Sequence, residues 1–161
     1  MTRGGFTLLE ATVTTVVLSV VAVAVLPVIN GATEAFSAAS MTERMVDETS
    51  YALDRVLRLL REAPSGEDAG SIGVSTLDDE QVIFSDGTGC RLSGGSLELR
   101  SAGGAWDELC ADVDEFELRA LDASGADTSG APGLVQRFEV RLARGEFELR
   151  SVVFCRARYA Q

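Results

Sequence analysis

The sequence predicts an α+β fold in which one long N-terminal helix, half membrane-competent and half amphipathic, packs on an antiparallel β domain. Three observations carry this. Phe6 to Ile29 is a run of 24 residues whose sole charged side chain is Glu10. Ala32 to Ala63 keeps apolar side chains at spacings of three and four, the period of a helix with one buried face. Beyond Pro64 the pattern changes to alternation of apolar and polar residues, broken by glycine turns, which is the signature of paired strands.

The elements follow in order. Residues 1–5 form a short leader with one charge, Arg3. The apolar run of residues 6–29 makes a helix about 36 Å long, enough to cross a hydrocarbon core about 30 Å thick with some tilt. Thr12, Val13, Thr14, Thr15, Val16 and Val17 are poor helix formers in water. In lipid the backbone has no other way to satisfy itself, so a helix is still expected. Pro27 removes one backbone donor and predicts a bend, and Asn30-Gly31 loosens the helix further.

Residues 30–63 continue the helix, with Met45, Leu53, Val56 and Leu60 on a core stripe and Thr42 and Thr49 filling the rows between. The charges from Glu43 to Arg61 form a solvated face. Ala63-Pro64-Ser65-Gly66 stops the helix. Residues 64–161 are the β domain. Strands are expected at 72–77, 81–85, 90–92, 96–100 and 113–121, with a turn at Gly103-Gly104 before Trp106 and a loop at 122–133. The last hairpin is the clearest: 137–142 and 146–155 alternate on either side of Ala143-Arg144-Gly145. Facing Glu and Arg residues predict exposed cross-strand pairs on a wet face.

Composition narrows function sharply. The chain has 161 residues, enough for one anchor and one modest domain, and a formal charge of −11. No basic patch exists to neutralise phosphates, so nucleic-acid binding is not expected. All 14 basic residues are arginine, and histidine is absent. Serine–histidine and cysteine–histidine nucleophile pairs, histidine metal ligands and a lysine Schiff base are therefore excluded. Cys90, Cys110 and Cys155 all lie beyond the apolar run. One disulfide is allowed in an oxidising compartment, as Cys90–Cys110 or Cys110–Cys155, with three reduced thiols as the other arrangement.

Glu10 sits four residues into the apolar run, where a secretory signal peptide or a plain anchor has no use for a carboxylate. The small residues Ser37-Ala38-Ala39 lie ten positions past the end of the run, too far for a signal-peptide cleavage site. Gly5-Phe6-Thr7-Leu8-Leu9-Glu10 instead resembles the N-terminal signal of type IV pilins and type II secretion pseudopilins. The resemblance implies cleavage by a prepilin peptidase between Gly5 and Phe6, with N-methylation of Phe6. It also implies that Glu10 meets the N-terminal amine of a neighbouring subunit during assembly. Pro27 matches a proline common near the end of the membrane segment in that family. A buried carboxylate without a partner costs several kcal/mol, so such a contact rewards correct register.

The order of the β domain is similar to that of J-type minor pseudopilins and W-type minor pilins: hairpin, Trp106, a Leu109–Leu121 segment, a glycine-rich loop and a terminal hairpin. Ala120 stands where those proteins usually carry an aromatic. The resemblance implies a minor pilin or pseudopilin at or near the tip of a fibre, acting by assembly without catalysis of its own; no cofactor or metal is expected. Its implied partners are other pilin or pseudopilin subunits, the prepilin peptidase, an inner-membrane assembly platform and, before assembly, the membrane itself. The implied location is the bacterial inner membrane, single pass, with the C-terminal domain outside the cytoplasm, and then the fibre. A major fibre subunit is the first alternative. An anchored enzyme using Asp78, Asp79, Glu80, Asp112 and Asp114 is the second. The resemblance also implies calcium in an acidic loop, since some relatives bind it there, and Asp122 and Asp127 offer oxygen atoms; the spacing is unlike an EF-hand, and a solvated loop is the simpler reading.

Overall fold

The computed structural model describes residues 7–158 other than 69 and 129. It is an α+β structure with one long helix, α1 (Leu8–Arg61), and eight strands in two antiparallel sheets. The chain divides into two compact units, residues 1–44 and 45–161. The division falls inside the helix, where inward-facing contacts begin with the stripe around Met45 and Thr49.

The first unit, where described, is helix. Every residue from Thr7 to Ala39 is exposed, including Leu18, Val23 and Phe36. Helical assignment runs unbroken through Pro27, Asn30 and Gly31. By length and composition this stretch can cross a membrane.

The second unit holds the core. Thr49, Ala52, Val56 and Leu60 are fully buried at helical spacing, with Met45 and Leu53 half-buried beside them. Thr42, expected on this stripe, is exposed, and Ala52, not expected there, takes a central place. The buried Thr49 hydroxyl donates to the Met45 carbonyl at 2.6 Å, so it brings no unmet donor into the core.

The first sheet is a meander of β1 (Val74–Leu77), β2 (Gln81–Phe84), β3 (Gly89–Ser93), β4 (Ser96–Arg100) and β5 (Trp106–Cys110), each paired with the next. Gly94-Gly95 makes the β3–β4 turn with φ of 59° and 78°. Two successive positive φ values in a two-residue hairpin turn select glycine. The second sheet is β6 (Glu115–Leu121), β7 (Arg137–Arg144) and β8 (Phe147–Phe154), also in chain order. The expectation of a single sheet is therefore corrected to two, and β5 was not expected as a strand. A bulge at Leu97/Glu98 sets Glu108 opposite Glu98 and Cys110 opposite Leu97, leaving Leu109 unmatched. That extra residue breaks the period of two that marks a strand in sequence.

The polar face of the second sheet carries the expected ion pairs. Glu139 lies between Arg119 at 3.1 Å and Arg150 at 2.6 Å. Arg141 reaches Glu115 at 2.7 Å and Glu148 at 2.8 Å. The β7–β8 pairs run diagonally, because Arg141 and Arg150 stand directly opposite each other. These exposed pairs fix orientation more than stability.

The two sheets share one core with the helix stripe. Phe84 of β2 meets Phe138 of β7 edge-on, ring centres 6.4 Å apart. Asp79 also accepts a backbone hydrogen bond from Leu118 of β6 at 2.7 Å. Phe138 is fully buried and packs on both sheets' residues. Phe138→Ala is expected to cost about 3–5 kcal/mol of unfolding free energy, measured by urea denaturation.

Candidate functional site

Sequence reasoning places function at the N-terminal segment. Gly5 and Phe6 lie outside the described residues. From Thr7 onward the local geometry is that of a capped helix. The Glu10 amide donates to Thr7 Oγ1 at 3.3 Å, and the Ala11 amide donates to the Thr7 carbonyl at 3.1 Å. Thr7 thus serves as the N-cap, a role the sequence reading did not assign to it. Glu10 falls in the first turn, where the positive end of the helix dipole favours a carboxylate.

The hydroxyls of the apolar run explain why it tolerates so many threonines. Thr12, Thr14, Thr15 and Ser19 each donate to the carbonyl four residues earlier, at 2.7–2.8 Å. Each polar hydrogen is therefore satisfied within the helix. What remains on the surface from Leu8 to Ile29 is hydrocarbon and one carboxylate, Glu10. Pro27 is inside the helix and leaves the Val23 carbonyl without its usual donor.

Of the carboxylates considered for an enzyme, Asp78 and Asp114 serve local structure at separate places. Asp78 Oδ1 accepts from the Glu80 amide at 3.1 Å across the β1–β2 turn. Asp114 Oδ2 accepts from the Gly145 amide at 2.6 Å and so fixes the β7–β8 turn. Asp112 has a φ of 56°, a left-handed conformation that aspartate tolerates better than most residues. Asp79 and Asp114 meet β6 at points about 13 Å apart along the strand, since Asp79 bonds Leu118. Among the described residues no group of three or more Asp, Glu and Cys side chains is arranged to hold a metal ion.

Asp122 Oδ1 accepts from the Ser124 amide and hydroxyl, each at 2.7 Å, and from the Ala126 amide at 2.9 Å. Asp127 lies 3.8 Å from Arg119. The Ser124 hydroxyl, followed by the Ala126 amide, holds the Asp122 carboxyl below the usual carboxylate range.

The cysteine pairings are corrected by topology. Cys90 and Cys110 are free thiols on β3 and β5, with β4 between them. Two strand spacings separate them by more than about 9 Å, beyond the reach of a disulfide. Cys110 Sγ lies 3.7 Å from Arg144 at one end of β7. The Cys155 amide bonds the Gln136 carbonyl at the other end of β7, eight residues or about 26 Å of strand away. Neither bridge fits this fold. All three cysteines are buried, and burial pushes the Cys90 thiol up to about 12. Burial also raises Cys110, opposed by the Arg144 guanidinium.

Arg144 is a structural node that sequence reasoning missed. Its nearly buried side chain reaches Glu48 of α1 at 2.9 Å and Asp112 at 3.9 Å. It therefore ties the helix to both sheets. In the sequence it was one of three turn residues, with no sign of its partners.

Two outcomes follow for this region. Peptide mapping without reduction is expected to find no Cys90–Cys110 or Cys110–Cys155 bridge, and Cys90 is expected to resist alkylation at pH 8 until the protein unfolds; a bridged peptide contradicts the first. The lowered pKa of Asp122 stabilises the folded loop above the ordinary carboxylate value, and that contribution is lost as pH falls through the lower folded value. The protection of the Ser124 and Ala126 amides against exchange, relative to the unstructured rate at the same pH, is expected to fall on acidification through the lowered Asp122 value, whereas Asp122→Ala lowers it at neutral pH.

A scan against models of known protein families finds no match for this chain, and a search of curated proteins finds none either.

Proposed function

We propose that this chain is a fibre subunit of the type IV pilin and pseudopilin class, most simply a minor subunit at or near the fibre tip. The observation that carries the reading is the segment from Leu8 to Ile29. It is a helix of exposed apolar side chains, its hydroxyls bonded internally, with a single carboxylate in its first turn. A permanent anchor needs the hydrocarbon but not the carboxylate. A helix that leaves the bilayer to pack among copies needs both, the first as fibre core and the second as a register device.

In this reading a prepilin peptidase cuts after Gly5, and Phe6 becomes the methylated N-terminus. Its amine is cationic, and Glu10 of a neighbouring subunit supplies the matching anion. An inner-membrane platform extracts the subunit, and the β domain remains outside the cytoplasm. The β-domain order supports the minor J-type or W-type assignment over a major subunit. In this reading the chain contributes assembly and no catalysis, and Asp78 and Asp114 serve to hold turns.

The mass of the mature N-terminus isolated from cells is the deciding measurement. A chain beginning at N-methyl-Phe6 is expected, and one beginning at Met1 or beyond Ala39 overturns the reading. Glu10→Val is expected to leave this processing intact while abolishing recovery of the subunit in sheared fibres.

A further inference from the structure

Among the described residues the two sheets end in four edge strands, β1 and β5 in the first and β6 and β8 in the second. An edge is normally blunted by shortness, a bulge, a covering segment or charge. β1 has four residues and a bulge between Val74 and Thr76. β5 has five and carries the bulge opposite Leu97/Glu98. The outer side of β6 is taken: the Leu118 amide donates to the Asp79 carbonyl at 2.7 Å, and the Ala120 carbonyl accepts from the Thr128 amide at 2.8 Å. β8 has eight residues, no proline and an unbroken register on β7. What is left to blunt it is charge, and Glu148 and Arg150 are of opposite sign.

The direction of the β8 backbone groups follows from alternation. Leu118 and Ala120 point away from β7, so Arg119 bonds to Glu139 across the β6–β7 ladder. Val140 then bonds to Ser151 of β8, in phase with the bond from the Cys155 amide to the Gln136 carbonyl. Glu148, Arg150 and Val152 are left with N–H and C=O groups aimed away from the sheet. All three are exposed, and among the described residues none makes a backbone hydrogen bond on that side. Phe147 and Leu149, on the other face of the strand, are half-buried.

We propose that β8 pairs antiparallel with β8 of a second copy of this chain, about a two-fold axis, with Glu148 opposite Arg150 of the copy. Charge selects both the partner and the register. Outward-facing residues must meet each other, so the two strands can slide past one another only in steps of two residues. One step to either side sets Glu148 on Glu148 or Arg150 on Arg150, like-charge pairs that cost stability. The register between them sets Glu148 on Arg150 at both ends, by symmetry. It also sets Leu149 on Leu149 at the axis, so two half-buried side chains leave water together. The register that sets Arg150 on Val152 sets Glu148 on Phe154 and forms no ion pair. Within the chain Glu148 keeps Arg141 and Arg150 keeps Glu139. A carboxylate can hold two guanidinium groups, as Glu139 does with Arg119 and Arg150. The strand lies within residues 45–161, and the proposal does not rest on the fibre reading.

Cysteine cross-linking reads the register. In the proposed pair Leu149 faces its copy at a non-hydrogen-bonded position, where Cα atoms lie about 4.5 Å apart, within reach of a disulfide. Ser151 faces Phe147, so two copies of Ser151 stand more than about 13 Å apart. The full chain in detergent micelles is treated with a mild oxidant. Leu149→Cys is expected to give a covalent dimer above the background of the unaltered chain, and Ser151→Cys to give none, although both share the same micelle. Arg150→Glu added to Leu149→Cys is expected to slow dimer formation at least about fivefold. Arg119→Glu, which removes the other partner of Glu139 but lies away from the edge, is expected to leave the rate unaltered. No dimer from Leu149→Cys, equal dimer from Ser151→Cys, or equal slowing by Arg119→Glu overturns the proposal.

Discussion

The β domain depends on one stripe of helix. Ala52, Val56 and Leu60 are wholly buried, and the same cluster holds Phe84 and Val82 of the first sheet with Phe138 and Val140 of the second. Neither sheet could keep its apolar face from water alone, for each has a polar opposite face and only one layer. Around this stripe the polar connections are arranged as guides. Arg144 joins Glu48 to the Asp112 corner, and Asp79 lends its carbonyl to β6.

The helix that supplies this stripe meets two different solvents along its length. From Leu8 to Ile29 its side chains are exposed hydrocarbon, and its hydroxyls turn back onto their own carbonyls. From Thr49 to Leu60 one face is buried in protein and the others are charged. Backbone hydrogen bonding is the same in both halves. The difference lies entirely in what each side chain can satisfy by itself. Glu10 is the exception in the first half, a charged group whose carboxylate has no ion-pair partner among the described residues.

Periodicity made much of this legible. The 3.6-residue stripe around Val56 and Leu60 and the alternation of 137–142 both survive in the structure with small shifts of boundary. Two features escaped because their signal is not periodic. β5 contains a bulge, so Trp106, Glu108 and Cys110 do not read as one alternating strand. The split into two sheets is a matter of which strands fail to pair, and pairing leaves no mark on a single strand's pattern. The disulfide alternatives were drawn from nearness in sequence, but β4 stands between Cys90 and Cys110. Charges on the helix were read as a solvated face. That holds for Glu43 and Asp54 and equally for Arg55 and Arg58, all of them exposed.

In both sheets every strand hydrogen-bonds only to the strands adjacent to it in the sequence. The order has a bearing on how the domain is made. No strand must wait for a distant one, so each can be added as soon as it follows its predecessor. Loop-closure cost stays small at every step. The helix stripe precedes all the strands and is ready as a template when β1 arrives. A chain delivered start-first through a narrow channel can therefore build its sheets in the order of its emergence, without holding long unpaired segments in the open.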